Sequence, residues 1–161
     1  MWQLTSLQKV KDVVLRNREL FRQHLSQKKN EGRETRTLTH FHYDGWKDGQ
    51  AAPSEELLQK LCDLIEEKQE GKKTPFEVNC KAGIGRTGTL VLCHYLRQKI
   101  MEELGKGVEL DKIRLNIPEA LYAFRKQRPG IIGAPDQLAQ VYSITASFVE
   151  RLKNSITASK K

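Results

Sequence analysis

The sequence predicts an α/β fold, a central sheet flanked by helices, on three observations. Segments follow one another in the order strand, loop, helix, strand, loop, helix, helix. The short apolar run Phe76–Cys80 leads directly into a glycine-bearing loop and then a helix. At 161 residues with 38% hydrophobic and 30% charged residues, the chain can bury one modest core and has little room for a second domain. Only two strands are legible where a stable sheet usually has ~3 or more, so a reduced or truncated version of such a fold is expected.

The elements are read in chain order. Leu7, Val10, Val13, Val14, Leu20, Phe21 and Leu25 recur at the spacing of one helix face, which predicts an amphipathic helix over 7–25. Ser26 to Glu34 holds no apolar residue and reads as a linker. Thr35–Tyr43, rich in Thr and aromatics, reads as a strand, and Asp44–Pro53 as a glycine-containing loop. Ser54 is placed to cap a helix with Glu55 and Glu56 in its first turn and Leu57, Leu58, Leu61, Leu64 and Ile65 on one face, ending near Gly71. Phe76–Cys80 reads as a short buried strand, followed by a helix from about Thr87 to Leu104 that Gly105 ends. A further helix ends before Pro129-Gly130, and a last one runs from near Asp136 to about Leu152. The expected organisation is therefore an N-terminal helix and linker over 1–30, a main domain over 33–154, and a frayed basic tail over 155–161.

Composition narrows the function classes. No apolar run approaches the ~18 residues that cross a bilayer, and Met1-Trp2-Gln3-Leu4 lacks a signal-peptide layout, so a cytoplasmic, reducing setting is expected, with delivery into a host cell left open. Cys62, Cys80 and Cys93 form no CxxC pair, which suggests neither a zinc site nor a disulfide framework. The net charge of +8 suits an anionic partner without choosing among them. Lys and Arg are not interleaved with aromatics and no nucleic-acid-binding signature is present, so nucleic acid is not the expected partner.

The segment Cys80-Lys81-Ala82-Gly83-Ile84-Gly85-Arg86-Thr87-Gly88 carries the chemistry. Lying between a buried run and a helix, the amides of Lys81 to Gly85 can curl into an anion-binding nest closed by the helix N-terminus. Gly83 and Gly85 permit the backbone angles and the close approach of a phosphate. A thiol in that nest lies in positive potential, so Cys80 is expected as a thiolate nucleophile at neutral pH. Arg86 offers a planar fork for bidentate contact with phosphate oxygens. The Thr87 hydroxyl is near enough in sequence to hydrogen-bond the sulfur as a leaving group. Cys62 and Cys93 sit among Leu61, Leu64, Val91 and Leu92 and read as core.

Val78-Asn79-Cys80 through Gly88 resembles the signature of the protein tyrosine phosphatase superfamily. The likeness extends from about Arg36 to Val149: His40 through Asp48 resembles the strand and mobile acid-bearing loop of tyrosine-specific members, and Arg125-Lys126-Gln127-Arg128-Pro129-Gly130 resembles their late helix end. The resemblance implies that Asp48 is the general acid and then the base, with Asp44 as its rival, and that Gln137 helps place the hydrolytic water. A solvent-facing glutamine in the first turn of a helix is the other reading of Gln137, and Trp46 is either a lid hinge or a partly buried aromatic. Asn79 replaces the usual His, Lys47 the lid Pro, and Gly133 a second glutamine, while Lys81 looks more like dual-specificity and phosphoinositide phosphatases. The region upstream of Arg33 does not resemble the family's N-terminal half.

The implied activity is hydrolysis of phosphate monoesters, protein phosphotyrosine first, through a cysteinyl-phosphate and with neither metal nor cofactor. The alternatives are a phosphoinositide or inositol phosphate phosphatase, prompted by Lys81 and the positive charge, and an inactive phosphate-binding or regulatory module, prompted by the departures and missing strands. The partner is then a phosphorylated protein or other phosphomonoester, and an open sheet edge could pair with a second copy as a homodimer.

Overall fold

The computed structural model describes residues 16–22, 34–43, 45–69 and 76–159, the first stretch and 34–39 by their backbone alone. The chain divides into two compact units, Met1–Asp44 and Gly45–Lys161.

In the first unit, β1 (Arg16–Arg22) pairs antiparallel with β2 (Glu34–His40), from Arg16 opposite His40 to Arg22 opposite Glu34. β2 begins one residue before the expected strand and stops three residues short of Tyr43. β1 corrects the helix expected over 7–25: the seven residues Arg16–Arg22 are extended, and the rest of that segment lies outside the described residues. Helical spacing of apolar residues is weak over this stretch, where only Leu20 and Phe21 are apolar, and a cross-strand partner supplies the backbone hydrogen bonds a helix would have made internally.

The second unit is helical. It comprises α1 (Glu55–Gln69), α2 (Gly85–Gly105), a 3₁₀ turn at Leu110–Lys112, α3 (Ile117–Gln127) and α4 (Pro135–Ala158). Ser54 Oγ accepts the Leu57 N–H at 3.2 Å, and Glu55 and Glu56 occupy the first turn, favourable beside the positive end of the helix dipole. Asn116 Oδ1 accepts the Glu119 N–H at 3.1 Å to cap α3, and Pro118 and Pro135 stand at the starts of α3 and α4, where a missing N–H costs nothing. α4 runs through Ala158, beyond the boundary at which a frayed tail is expected.

α2 is the central element, buried on most of its circumference and packed against α4, α1 and α3. The core joins Leu58 and Cys62 of α1 to Leu92, Cys93, Leu96 and Ile100 of α2 and to Val141, Ile144 and Phe148 of α4. Burying such side chains contributes roughly 1.5–3 kcal/mol each. Gly88 sets the approach of the segment before α4, because a Cβ there would meet Ile131 Cγ1 at 2.5 Å and Ile132 Cγ1 at 2.8 Å. Within this interior α2 also buries Arg97, whose Nη2 donates to Asp63 and, at 2.8 Å, to Glu66 Oε2, and whose Nη1 donates to the Gln59 carbonyl at 3.1 Å. Phe148 covers the guanidinium face at 4.3 Å.

The expected central sheet is not found among the described residues. No described residue of the helical unit is in a strand, and the only strand pair among the described residues is the antiparallel β1–β2 of the first unit. Phe76–Cys80 is without strand pairing, and Phe76 is exposed, its ring meeting His94 edge-on at 5.0 Å. A short apolar run becomes a buried strand only when neighbours pair with it, and no described residue does. The α/β expectation is thereby corrected to a helical unit and a separate strand pair, and a homodimer through the edge of a central sheet loses its basis. Among the described residues, no helix is long and apolar enough to cross a membrane.

Candidate active site

The loop from Cys80 to Ile84 ends where α2 begins, and no side chain caps that helix at Ile84 and no acidic residue lies in its first turn. Its leading amides are thus left to the concave side of the loop. Gly83 adopts φ +66°, a left-handed conformation, and its N–H donates to Cys80 Sγ at 3.2 Å. A side chain there would also collide with Arg128, whose Nη2 would lie 2.7 Å from the added Cβ. Arg128 braces the loop from outside, Nη2 donating to the Ala82 carbonyl at 3.0 Å. At Gly85 an added Cβ would stand 2.9 Å from Gln137 Oε1, so the amide end of that side chain would have to shift.

Two opposing influences act on the Cys80 thiol. Partial burial raises its pKa, but the Thr87 hydroxyl and the backbone N–H groups of Thr87, Ile84 and Gly83 favour the thiolate and together bring it from 9.0 down to about 7. Thr87 Oγ1 is itself buried without a well-aligned hydrogen-bond partner, so its effect on the sulfur is one of proximity, and the Gly83 amide is the aligned donor. The other two cysteines go the opposite way. Burial pushes Cys62 up to about 12, the facing Arg97 offsetting only part of it, and raises Cys93 well above 9.0, reinforced by Cys62.

Arg86 leaves the first turn of α2 and reaches the loop after Tyr43. Its Nη1 donates to the Trp46 carbonyl at 2.8 Å, its Nη2 lies 3.1 Å from Asp48 Oδ1, and its Nε is buried with no partner. Lys81 Nζ stands 3.9 Å from the other Asp48 oxygen, both side chains being well exposed. Asp44, the rival acid, lies outside the described residues.

The acid-bearing loop is tied down along its length. Trp46 is buried and its Nε1 donates to the Gln50 carbonyl at 2.8 Å, so it anchors the loop. Gly49 turns the chain at φ +73° just after Asp48. Gln137 Nε2 donates to the same Gln50 carbonyl at 2.9 Å. Gln137 is only 1% exposed, which overturns the reading of it as a solvent-facing glutamine. Among the expected residues, then, Cys80, Gly83 and Thr87 cluster about the sulfur, Arg86, Asp48 and Lys81 meet at the rim, and Gln137 touches both Gly85 and the acid loop.

Three participants escaped the sequence reading as site residues. Arg128 braces the Cys80–Ile84 loop, Arg125 donates to the carbonyls of Ile131 (3.3 Å) and Ile132 (2.9 Å), and Gln140 holds Ala52. Ile132 has φ +52° and its N–H reaches the Ile84 carbonyl at 3.3 Å, so Arg125 stabilises a strained turn that supports the start of α2. The available signal was a polar residue on a buried helix stripe: Gln137 and Gln140 precede Val141, Ile144 and Phe148 at helical spacing.

The site therefore gathers a cysteine sulfur beside amides at a helix N-terminus, an arginine from that helix and a carboxylate on a facing loop. Residues 5–147 match the family model of the protein-tyrosine phosphatases, and the chain belongs to that family. It is similar to tyrosine-protein phosphatase 2 of Dictyostelium discoideum, 31% identical over 134 residues covering 83% of this chain and 33% of that protein. It also resembles human receptor-type tyrosine-protein phosphatase-like N, 31% identical over 76% of this chain and 12% of the relative. Mouse tyrosine-protein phosphatase non-receptor type 2 is 35% identical over 68% of this chain and 25% of its own length. The chain thus spans about a third or less of the length of these relatives.

Proposed function

We propose that the chain hydrolyses phosphate monoesters, with protein phosphotyrosine as the first substrate class, through a cysteinyl-phosphate on Cys80. The observation that carries this reading is the sulfur itself: with a pKa of about 7 and an amide donor at 3.2 Å, it is substantially anionic at neutral pH. The thiolate attacks phosphorus, a P–S bond forms, and the P–O bond to the leaving group breaks. Asp48 in its acid form gives its proton to the departing oxygen. Water then attacks the cysteinyl-phosphate, Asp48 takes a proton from it, and the P–S bond breaks with the electron pair returning to sulfur, where Thr87 and the loop amides receive it. Gln137, beside Gly85 and the acid loop, suits the task of orienting that water.

Arg86 takes the phosphate in this scheme. Its unpartnered Nε is the donor an incoming phosphate oxygen would satisfy, and Asp48 would yield Nη2 to a second oxygen, which makes the clamp bidentate. Turnover of a phosphotyrosine peptide and of para-nitrophenyl phosphate tests the reading. Cys80→Ser should abolish both, and a rate that survives it overturns the proposal. Vanadate binding without phosphate release from the wild type would make the chain a binding module instead. The pH profile of kcat/KM should rise through about 7 as the thiolate forms.

A further inference from the structure

We infer that Gln140 is a positioning residue for the acid-bearing loop: by latching both backbone groups of Ala52, it fixes where Asp48 stands beside Arg86. The inference rests on the hydrolase reading only for the consequence it assigns to Asp48. The latch itself is geometric. Gln140 Oε1 accepts the Ala52 N–H at 2.7 Å, and Nε2 donates to the Ala52 carbonyl at 2.8 Å. Both bonds are buried, with Gln140 6% and Ala52 7% exposed.

A primary amide has the same donor and acceptor as a peptide group, so this side chain does for Ala52 what a neighbouring strand would do. Both side-chain hydrogen bonds that Gln140 makes among the described residues go to Ala52. Gln140 therefore acts on the chemistry only through the loop, and the loop's other ties explain why that matters. Arg86 holds the Trp46 carbonyl, and Trp46 and Gln137 hold the Gln50 carbonyl. These secure the loop at Trp46 and Gln50, on either side of Asp48 and Gly49. Between those ties the chain turns at Gly49, where nothing lies within 4 Å of an added Cβ, so the turn has open space to move into unless both legs are held. Ala52 is the last residue before Pro53 and the capped start of α1, and Gln140 is what closes the downstream leg.

One variant keeps the shape and removes the latch, Gln140→Met, and a second restores it conditionally, Gln140→Glu. A protonated glutamic acid can accept from the Ala52 N–H and donate to its carbonyl as the amide does; its carboxylate cannot donate. With Gln140→Met, kcat should fall about tenfold on an alkyl or phenyl phosphate, whose poor leaving group needs a positioned acid, with KM within about twofold. On an aryl phosphate with a strongly acidic leaving group the loss should be under about threefold, because proton donation matters less there. The ratio of Gln140→Glu to wild type on the poor leaving group should climb toward one as pH falls. Hydrogen exchange at the Ala52 amide should quicken by at least about tenfold in Gln140→Met while α1 and α2 keep their protection.

Equal rate losses for both leaving groups, or unchanged exchange at Ala52, overturn the inference. A wild type with no turnover on any substrate overturns the hydrolase reading instead, and the exchange measurement then upholds or overturns the latch alone.

Discussion

α2 carries two arginines in opposite circumstances, and each has a cysteine for company. Arg97 is buried with its charge answered by Asp63 and Glu66 and its face covered by Phe148, and the nearby Cys62 thiol is pushed up to about 12. Arg86, at the helix start, shares its guanidinium with one loop carbonyl and one exposed carboxylate and keeps Nε unspent, and the Cys80 thiol is drawn down to about 7. The same residue types thus build a polar core with a raised thiol pKa at mid-helix and, at its first turn, the lowered thiol on which the proposed chemistry rests. The difference is backbone: mid-helix amides are consumed by the helix, whereas those of the first turn are free to solvate an anion. A nearby guanidinium does not by itself make a thiolate, since Cys62 faces Arg97 and burial still prevails.

The largest expected contrast is in thiol reactivity. At neutral pH the thiolate populations of Cys80 and Cys62 differ by roughly 10⁴–10⁵ on the directions and values above, before access is considered. Iodoacetamide at pH 7 followed by peptide mass mapping should label Cys80 alone, with a rate that rises with pH and levels off above about 7. Labelling of Cys62 or Cys93 at a comparable rate in the folded chain would break the comparison.

The arginines should separate activity from stability. Arg86→Lys loses the bidentate fork and should lower kcat/KM by about 10²–10³ with little change in melting temperature. Arg97→Met strands Asp63 and Glu66 and should destabilise the fold by about 3 kcal/mol, moderated because both carboxylates are partly exposed and Arg151 still pairs with Asp63 at 2.8 Å. The molecules that remain folded should keep their kcat. Asp48→Ala falls on the Arg86 side of this divide, slowing turnover by about 10²–10⁴ while leaving stability unchanged.

Much of this contrast was legible from residues whose surroundings are local. The loop Cys80–Gly88 announces itself because glycines, arginine and threonine sit at short fixed offsets, and the helices are read from caps such as Ser54 and from the apolar stripe of α4. What failed depends on pairing. Arg16–Arg22 forms a strand because Glu34–His40 lies beside it, and Phe76–Cys80 does not form one among the described residues for want of a partner. Periodicity cannot see either fact. Arg97 and Gln140 were passed over because a polar residue on a buried stripe looks like an interruption until its partners, Asp63, Glu66 and Ala52, are in place.

The smallest effect separates the two thiols by sign. Cys80 has its pKa depressed in the fold from 9.0 to about 7, so between those values the unfolded chain holds a proton that the native chain has released, and stability rises with pH across that window. The contribution is complete above about 9 and is lost as pH falls through about 7. A shift of this size corresponds to at most ~2.7 kcal/mol, and a partly exposed, solvent-screened sulfur should realise about 1 kcal/mol of it. Cys62, raised to about 12, does the reverse: it costs nothing below about 9 and takes stability away as pH climbs from there toward 12. Urea unfolding of wild type and Cys80→Ser at pH 6, 7, 8 and 9 should give a stability difference that grows in favour of the wild type with pH. Cys62→Ala against wild type should show no such growth over that range and should begin to gain only above about 9. If the Cys80→Ser difference stays flat from pH 6 to 9, the loop amides are not holding an anion, and the reactive end of α2 is no different from its middle.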